Sequence, residues 1–132
     1  MTKSFTYLLG MTAGVMLMAV SSEAATKSVT WTGWFSDAKC APGRVASGTL
    51  GPNNPDCVQM CLEKGAAPVF ISEQAKALFV VKGYSQVVED LGYHVEITAD
   101  LDEGAGTISV QKVKRLSYQG AACARPRPRS KQ

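Results

Sequence analysis

The chain is poor in the residues from which most catalytic centres are made. It holds a single histidine, His94, which excludes the paired-histidine metalloprotease motif H-E-x-x-H. None of its four cysteines stands in a C-x-x-C pair, which excludes thioredoxin-type redox and haem-attachment motifs. No G-x-S-x-G nucleophile elbow and no phosphate-cradling P-loop occurs. Carboxylates adjoin only at Glu89–Asp90 and Asp102–Glu103. Side chains of adjacent helical residues diverge and the second pair falls in a turn, so neither makes a poised acid–base dyad. Asp100, Asp102 and Glu103 have the composition of a calcium loop without EF-hand spacing. The expectation is a protein that is not an enzyme and carries no cofactor.

Charge of one sign is also scarce. The net charge of +3 is carried by the end of the chain, where A-R-P-R-P-R-S-K-Q supplies Arg125, Arg127, Arg129 and Lys131. Setting these aside, with Lys3 and Glu23 at the other end, leaves 9 basic against 10 acidic residues. Such a near-neutral body lacks the broad basic field of a nucleic-acid binder. Residues 121–132 are expected as a basic Arg-Pro tail, extended and solvated because proline removes amide donors and like charges repel.

Long hydrophobic runs are absent except at the start. Lys3 precedes an uncharged, largely apolar stretch from Phe5 to Val20, and Ser22 and Ala24 supply small residues at a cleavage site. This is the layout of a secretory signal peptide over residues 1–24. The stretch of about 16 residues reaches ~24 Å at about 1.5 Å per residue, short of the ~30 Å hydrocarbon core. No cysteine follows it directly and no twin arginine precedes it. A periplasmic or secreted protein is expected, with no transmembrane anchor after cleavage and one domain over residues 25–120.

In that domain V-T-W-T-G-W-F, Val29 to Phe35, alternates with Val29, Trp31 and Phe35 on one side and Thr30, Thr32 and Trp34 on the other. It reads as a first strand, with Gly33 marking a bulge or bend. A long turn-rich segment without period follows, and a loop of that length needs tying down. Asn54 as N-cap, Pro55 at the first helical position and Gly65 as stop delimit a short helix. P-V-F-I-S and A-L-F-V-V read as two antiparallel strands, and Ser85 to Leu91 as a short helix closed by Gly92. From Tyr93 to Leu101, Tyr93, Val95, Ile97, Ala99 and Leu101 alternate with His94, Glu96, Thr98 and Asp100. A D-E-G-A-G turn leads to the last strand, Thr107 to Val113. Five strands with a helix between the third and fourth predict a mainly β fold, a small five-stranded OB-fold-like barrel; an open roll or SH3-like barrel would use much the same strands.

The segments G-W-F-S-D-A-K-C, D-C-V-Q-M-C-L-E-K-G and A-P-V-F-I resemble a group of small exported bacterial proteins of unassigned function. That group shows a Gly-Trp-x-Ser-Asp-x-x-Cys segment, a Cys-x-x-x-Cys pair, then barrel-like strands. The resemblance spans Gly33 to Val113 and is specific around the cysteines. It implies the fold and the export and supplies no activity. Members of the group carry a histidine soon after the first cysteine; A-P-G-R-V-A-S-G here has none.

Cys40, Cys57, Cys61 and Cys123 are an even set in a small exported domain, the setting in which disulfides form. A Cys57–Cys61 bridge fits poorly on a regular helix. The expected staples therefore join Cys40 to one helix cysteine and Cys123 to the other, each worth about 2–4 kcal/mol. The alternative is a copper- or thiol-handling site in which Cys57, Cys61 and His94 supply soft ligands. Otherwise Trp34, Phe70, Phe79 and Tyr84 could offer aromatic faces beside the second and third strands, where OB-folds hold ligands. The leading expectation is a monomeric, non-catalytic binding or interaction module of the bacterial envelope, its ligand or protein partner unspecified.

Overall fold

A computed structural model describes residues 25–120. The expected signal segment, the basic tail and Cys123 lie outside the described residues. Five strands form one sheet: β1 (Thr26–Asp37), β2 (Pro68–Ser72), β3 (Ala77–Lys82), β4 (Tyr93–Asp102) and β5 (Thr107–Tyr118). Two short helices, α1 (Ala41–Ala46) and α2 (Pro55–Glu63), fill the connection after β1, and a 3-10 turn, Val87–Asp90, precedes β4. The sheet closes in a ring, β1-β2-β3-β5-β4, with β4 paired back onto β1. All pairs are antiparallel except β3 with β5. Among the described residues no helix is long and apolar enough to cross a membrane.

Closure depends on Gly33. It pairs with Val95 of β4 and with Ser72 of β2, so the first strand changes partner there. A Cβ at this position would lie 1.8 Å from the Ile71 carbonyl oxygen, an approach only glycine permits. The expected bulge at Gly33 is not found; the register is regular through it. The register shifts fall instead in the β4–β5 pair, where Gln111 and Leu116 are passed over. Each shift moves the inward set by one, from Ile108 and Val110 to Val113 and then Tyr118, and bends the strand round the ring.

The interior holds Phe35, Phe70, Val81, Val95, Ile97, Ala99, Leu101 and Ile108, capped at the end by Val58 of α2 and by Val87 and Leu91. A second, smaller cluster lies outside the ring. There Ala41, Val45 and Leu50 pack on Val69, Ile71 and Leu78. The long segment after β1 is thus tied down by apolar packing, and it contains α1, a helix that Pro42 and Gly43 concealed in the sequence. Pro42 lies in the first turn, where its missing amide costs nothing.

The expected staple between Cys40 and a helix cysteine is corrected by this arrangement, while the one expected to Cys123 lies outside the described residues. Cys40, Cys57 and Cys61 are free thiols, and no disulfide joins any pair of them. The loop is anchored by α1 and by the turn described next, so no bridge is needed to order it.

Candidate functional site

Asp37 ends β1, where both strand faces are covered, and it is 0% exposed. Its Oδ1 accepts the backbone N–H of Lys39 at 2.9 Å and of Cys40 at 3.1 Å. This is the local turn that Asp side chains make with amides two and three residues on. Its Oδ2 is buried and meets no well-aligned donor, although the Cys40 thiol is close enough to hydrogen-bond the carboxylate. A buried carboxylate oxygen without a partner is costly, and natural proteins rarely leave one so.

The turn delivers Cys40 to the start of α1, half-buried. Cys61 reaches the same place from α2. Asn54 caps that helix by accepting the Asp56 N–H at 2.9 Å, and Val58 and Leu62 seat it against the interior. Cys61 borders this buried stripe, at three and one residues from its members. One Asp37 carboxylate oxygen, Cys40 Sγ and Cys61 Sγ all lie within 4.8 Å of one another. Asn53, just before α2, turns its side chain to Cys40, and its Oδ1 is buried without a hydrogen-bond partner.

Burial, then the Asp37 carboxylate beside it, then Cys61 push the Cys40 thiol above its ordinary value, while the Asn53 side chain opposes them. Three groups able to carry negative charge have been drawn together, Asp37 wholly buried and the two cysteines half-buried. Two thiols and a carboxylate are also a ligand set for a borderline transition metal. Tetrahedral coordination at about 2.0–2.3 Å needs donor atoms roughly 3.5–3.8 Å apart, a closing of about 1 Å from the outer bound seen here.

The copper-type set expected from sequence is not assembled: the only group of potential ligands among the described residues leaves out Cys57 and His94. Cys57 is exposed. His94 lies on the outer face of β4, its Nε2 2.7 Å from Glu73 Oε2 and its ring stacked on Trp34.

Nor do the four aromatic residues form a platform. Phe70 is in the interior, with Phe35 edge-on to it. Trp34 keeps the outward side that alternation gives it, yet is 5% exposed because His94 covers its face and Gln119 accepts its Nε1–H at 3.2 Å. Phe79 is half-buried against Trp31, and Tyr84 stacks on Phe35 while its hydroxyl donates to Asp90. Their rings serve packing on different sides of the sheet.

Sequence reasoning missed Asp37 and Asn53. Asp37 was visible in S-D-A-K-C, where an aspartate three residues before a cysteine can hold that cysteine's amide. Nothing local signals that Cys61 and Asn53 return to the same point. The chain matches no family model, no curated protein and no solved structure.

Proposed function

We propose that this chain is a small, exported, non-catalytic metal-binding module that holds a borderline divalent ion of the Zn2+ class through Asp37, Cys40 and Cys61. The observation that carries this reading is the unpartnered oxygen of a wholly buried carboxylate within 4.8 Å of two free thiols. A turn-forming aspartate explains Oδ1, and the neutral Cys40 thiol beside the carboxylate is only a weak donor; a cation would satisfy Oδ2 fully. Paired thiolates select against Mg2+ and Ca2+, which prefer all-oxygen shells. The hard carboxylate in turn favours Zn2+ over Cu(I), so the ion differs from the copper that the cysteine and histidine content alone suggested. The strand order and the single parallel pair support an OB-fold-like barrel as scaffold. The charge layout of the first residues supports export to the periplasm or beyond, and the intact mass of exported protein, starting at Ala25, tests that part.

The binding test is calorimetric titration of the reduced protein with Zn2+. One equivalent should bind, and Asp37→Ala, Cys40→Ser and Cys61→Ser should each weaken it. Undiminished binding by Cys40→Ser, or loss of binding in His94→Ala, overturns the assignment.

A further inference from the structure

Three donors on a metal leave one position open, the arrangement of a catalytic zinc, whereas storage and structural sites are closed by a fourth. We infer that Cys57 is that fourth donor, making the centre a closed site of three thiolates and one carboxylate. The inference rests on the metal-binding reading above and names what completes it.

Cys57 and Cys61 both lie in α2, four residues apart. On a helix that spacing puts two side chains one above the other, the same relation by which the two histidines of H-E-x-x-H hold one zinc. Direction matters as much as spacing. Helical side chains lean toward the N-terminus, so a residue covers the turn before its own Cα. The Cys61 sulfur, which meets Cys40 and Asp37, therefore leans over the turn that carries Cys57.

A second observation places the same turn beside the group independently. Cys40 has the Cys61 thiol as a charge-bearing neighbour and the Asn53 side chain as a hydrogen-bond partner. Asn53 stands just before the first turn of α2, and Cys61 lies in its second. Cys40 thus faces α2 at both ends of the interval in which Cys57 sits, on the helix face that Cys61 already presents. The Asn53 Oδ1 is itself buried without a partner, so the N-terminal side of this space is lined by a polar atom with nothing to bind.

A change of side-chain rotamer at Cys57 would bring its thiol toward the group. Its sulfur is exposed and lies outside the cluster formed by the other three. A change of χ1 between staggered positions swings a sulfur by about 3 Å at no covalent cost. Cys57 is exposed, which leaves room for that change, whereas Cys40 and Cys61 are half-buried. The ion would then enter from solvent at Cys57 and finish against buried Asp37, each bound thiol releasing its proton to water.

Co2+ is the probe, because sulfur-to-cobalt charge-transfer absorbance grows with the number of thiolates bound. The full exported chain, reduced, is compared with Cys57→Ser, Cys40→Ser and Cys61→Ser. Cys57 is exposed, so its substitution should leave unfolding of the metal-free chain unchanged and isolate the ligand effect. The expected result is a wild-type band about one and a half times that of Cys57→Ser, in proportion to three thiolates against two, with Zn2+ affinity falling about tenfold or more. If Cys57→Ser matches wild type in band and affinity while Cys40→Ser and Cys61→Ser lower both, the three-donor site stands and the fourth donor is not Cys57. If no band forms at all, or Cys40→Ser keeps it whole, both readings fall together.

Discussion

Nε2 of His94 lies 2.7 Å from Oε2 of Glu73, and this pair joins β4 to the residue that follows β2. Glu73 also accepts a hydrogen bond from the Thr32 hydroxyl. Burial by itself would raise the Glu73 carboxyl; the Thr32 and His94 contacts outweigh it and hold the group below its ordinary value of 4.5. A depressed carboxyl contributes stability above its unfolded value and loses it as pH falls through the folded one. Unfolding free energy should therefore drop below about pH 4.5, and less steeply in Glu73→Gln. Denaturation curves at several pH values check this, and parallel profiles for the two proteins would remove Glu73 from the account.

Trp34 is the costlier of the two tryptophans to lose. Its outward side of β1 is covered by His94 and Gln119, while Trp31 is only half-buried beside Phe79. Trp34→Ala should destabilise by about 3–5 kcal/mol, as truncation of buried aromatics does, and Trp31→Ala by less. Alternation, which puts Trp31 on the side of Val29 and Phe35 and Trp34 on the side of Thr30 and Thr32, by itself predicts the opposite order. Chemical denaturation of both variants decides between them.

That reversal shows where sequence reading reached and where it stopped. The alternation from Tyr93 to Leu101 and the cap, start and stop of α2 are local patterns, and the structure reproduces both. β1 and β5 run further than their alternation suggested, to Asp37 and Tyr118. At Asp37 both faces are covered, and in β5 two register shifts break the period. Which face is covered depends on distant residues: α1 lies over β2, and Gln119 reaches Trp34. The candidate site divides in the same way. Asp37 and Cys40 belong to one turn and were legible together; their meeting with Cys61 is tertiary and left no mark in spacing.

Arg115 shows the cost of the inward shift in β5. Its Nε donates to Asp90 Oδ1 at 2.7 Å, and its guanidinium lies 4.3 Å over the Tyr93 ring. Asp90 is wholly buried. Arg115→Ala should cost about 3–5 kcal/mol, because a buried carboxylate loses its counter-charge. Arg115→Met with Asp90→Leu should recover part of that loss, since the uncompensated buried charge is gone while the Tyr84 hydroxyl and the Glu89 carbonyl each lose a hydrogen bond. A double variant no more stable than Arg115→Ala, measured by urea unfolding, would contradict this.

Whether Asp37, Cys40 and Cys61 hold one metal ion is read from X-ray absorption of the zinc-loaded protein. The expected spectrum is a shell of sulfur at about 2.3 Å together with oxygen at about 2.0–2.2 Å, with the sulfur count falling in Cys40→Ser and in Cys61→Ser. A shell of nitrogen and oxygen only, or one carrying the scattering signature of an imidazole from His94, would contradict it.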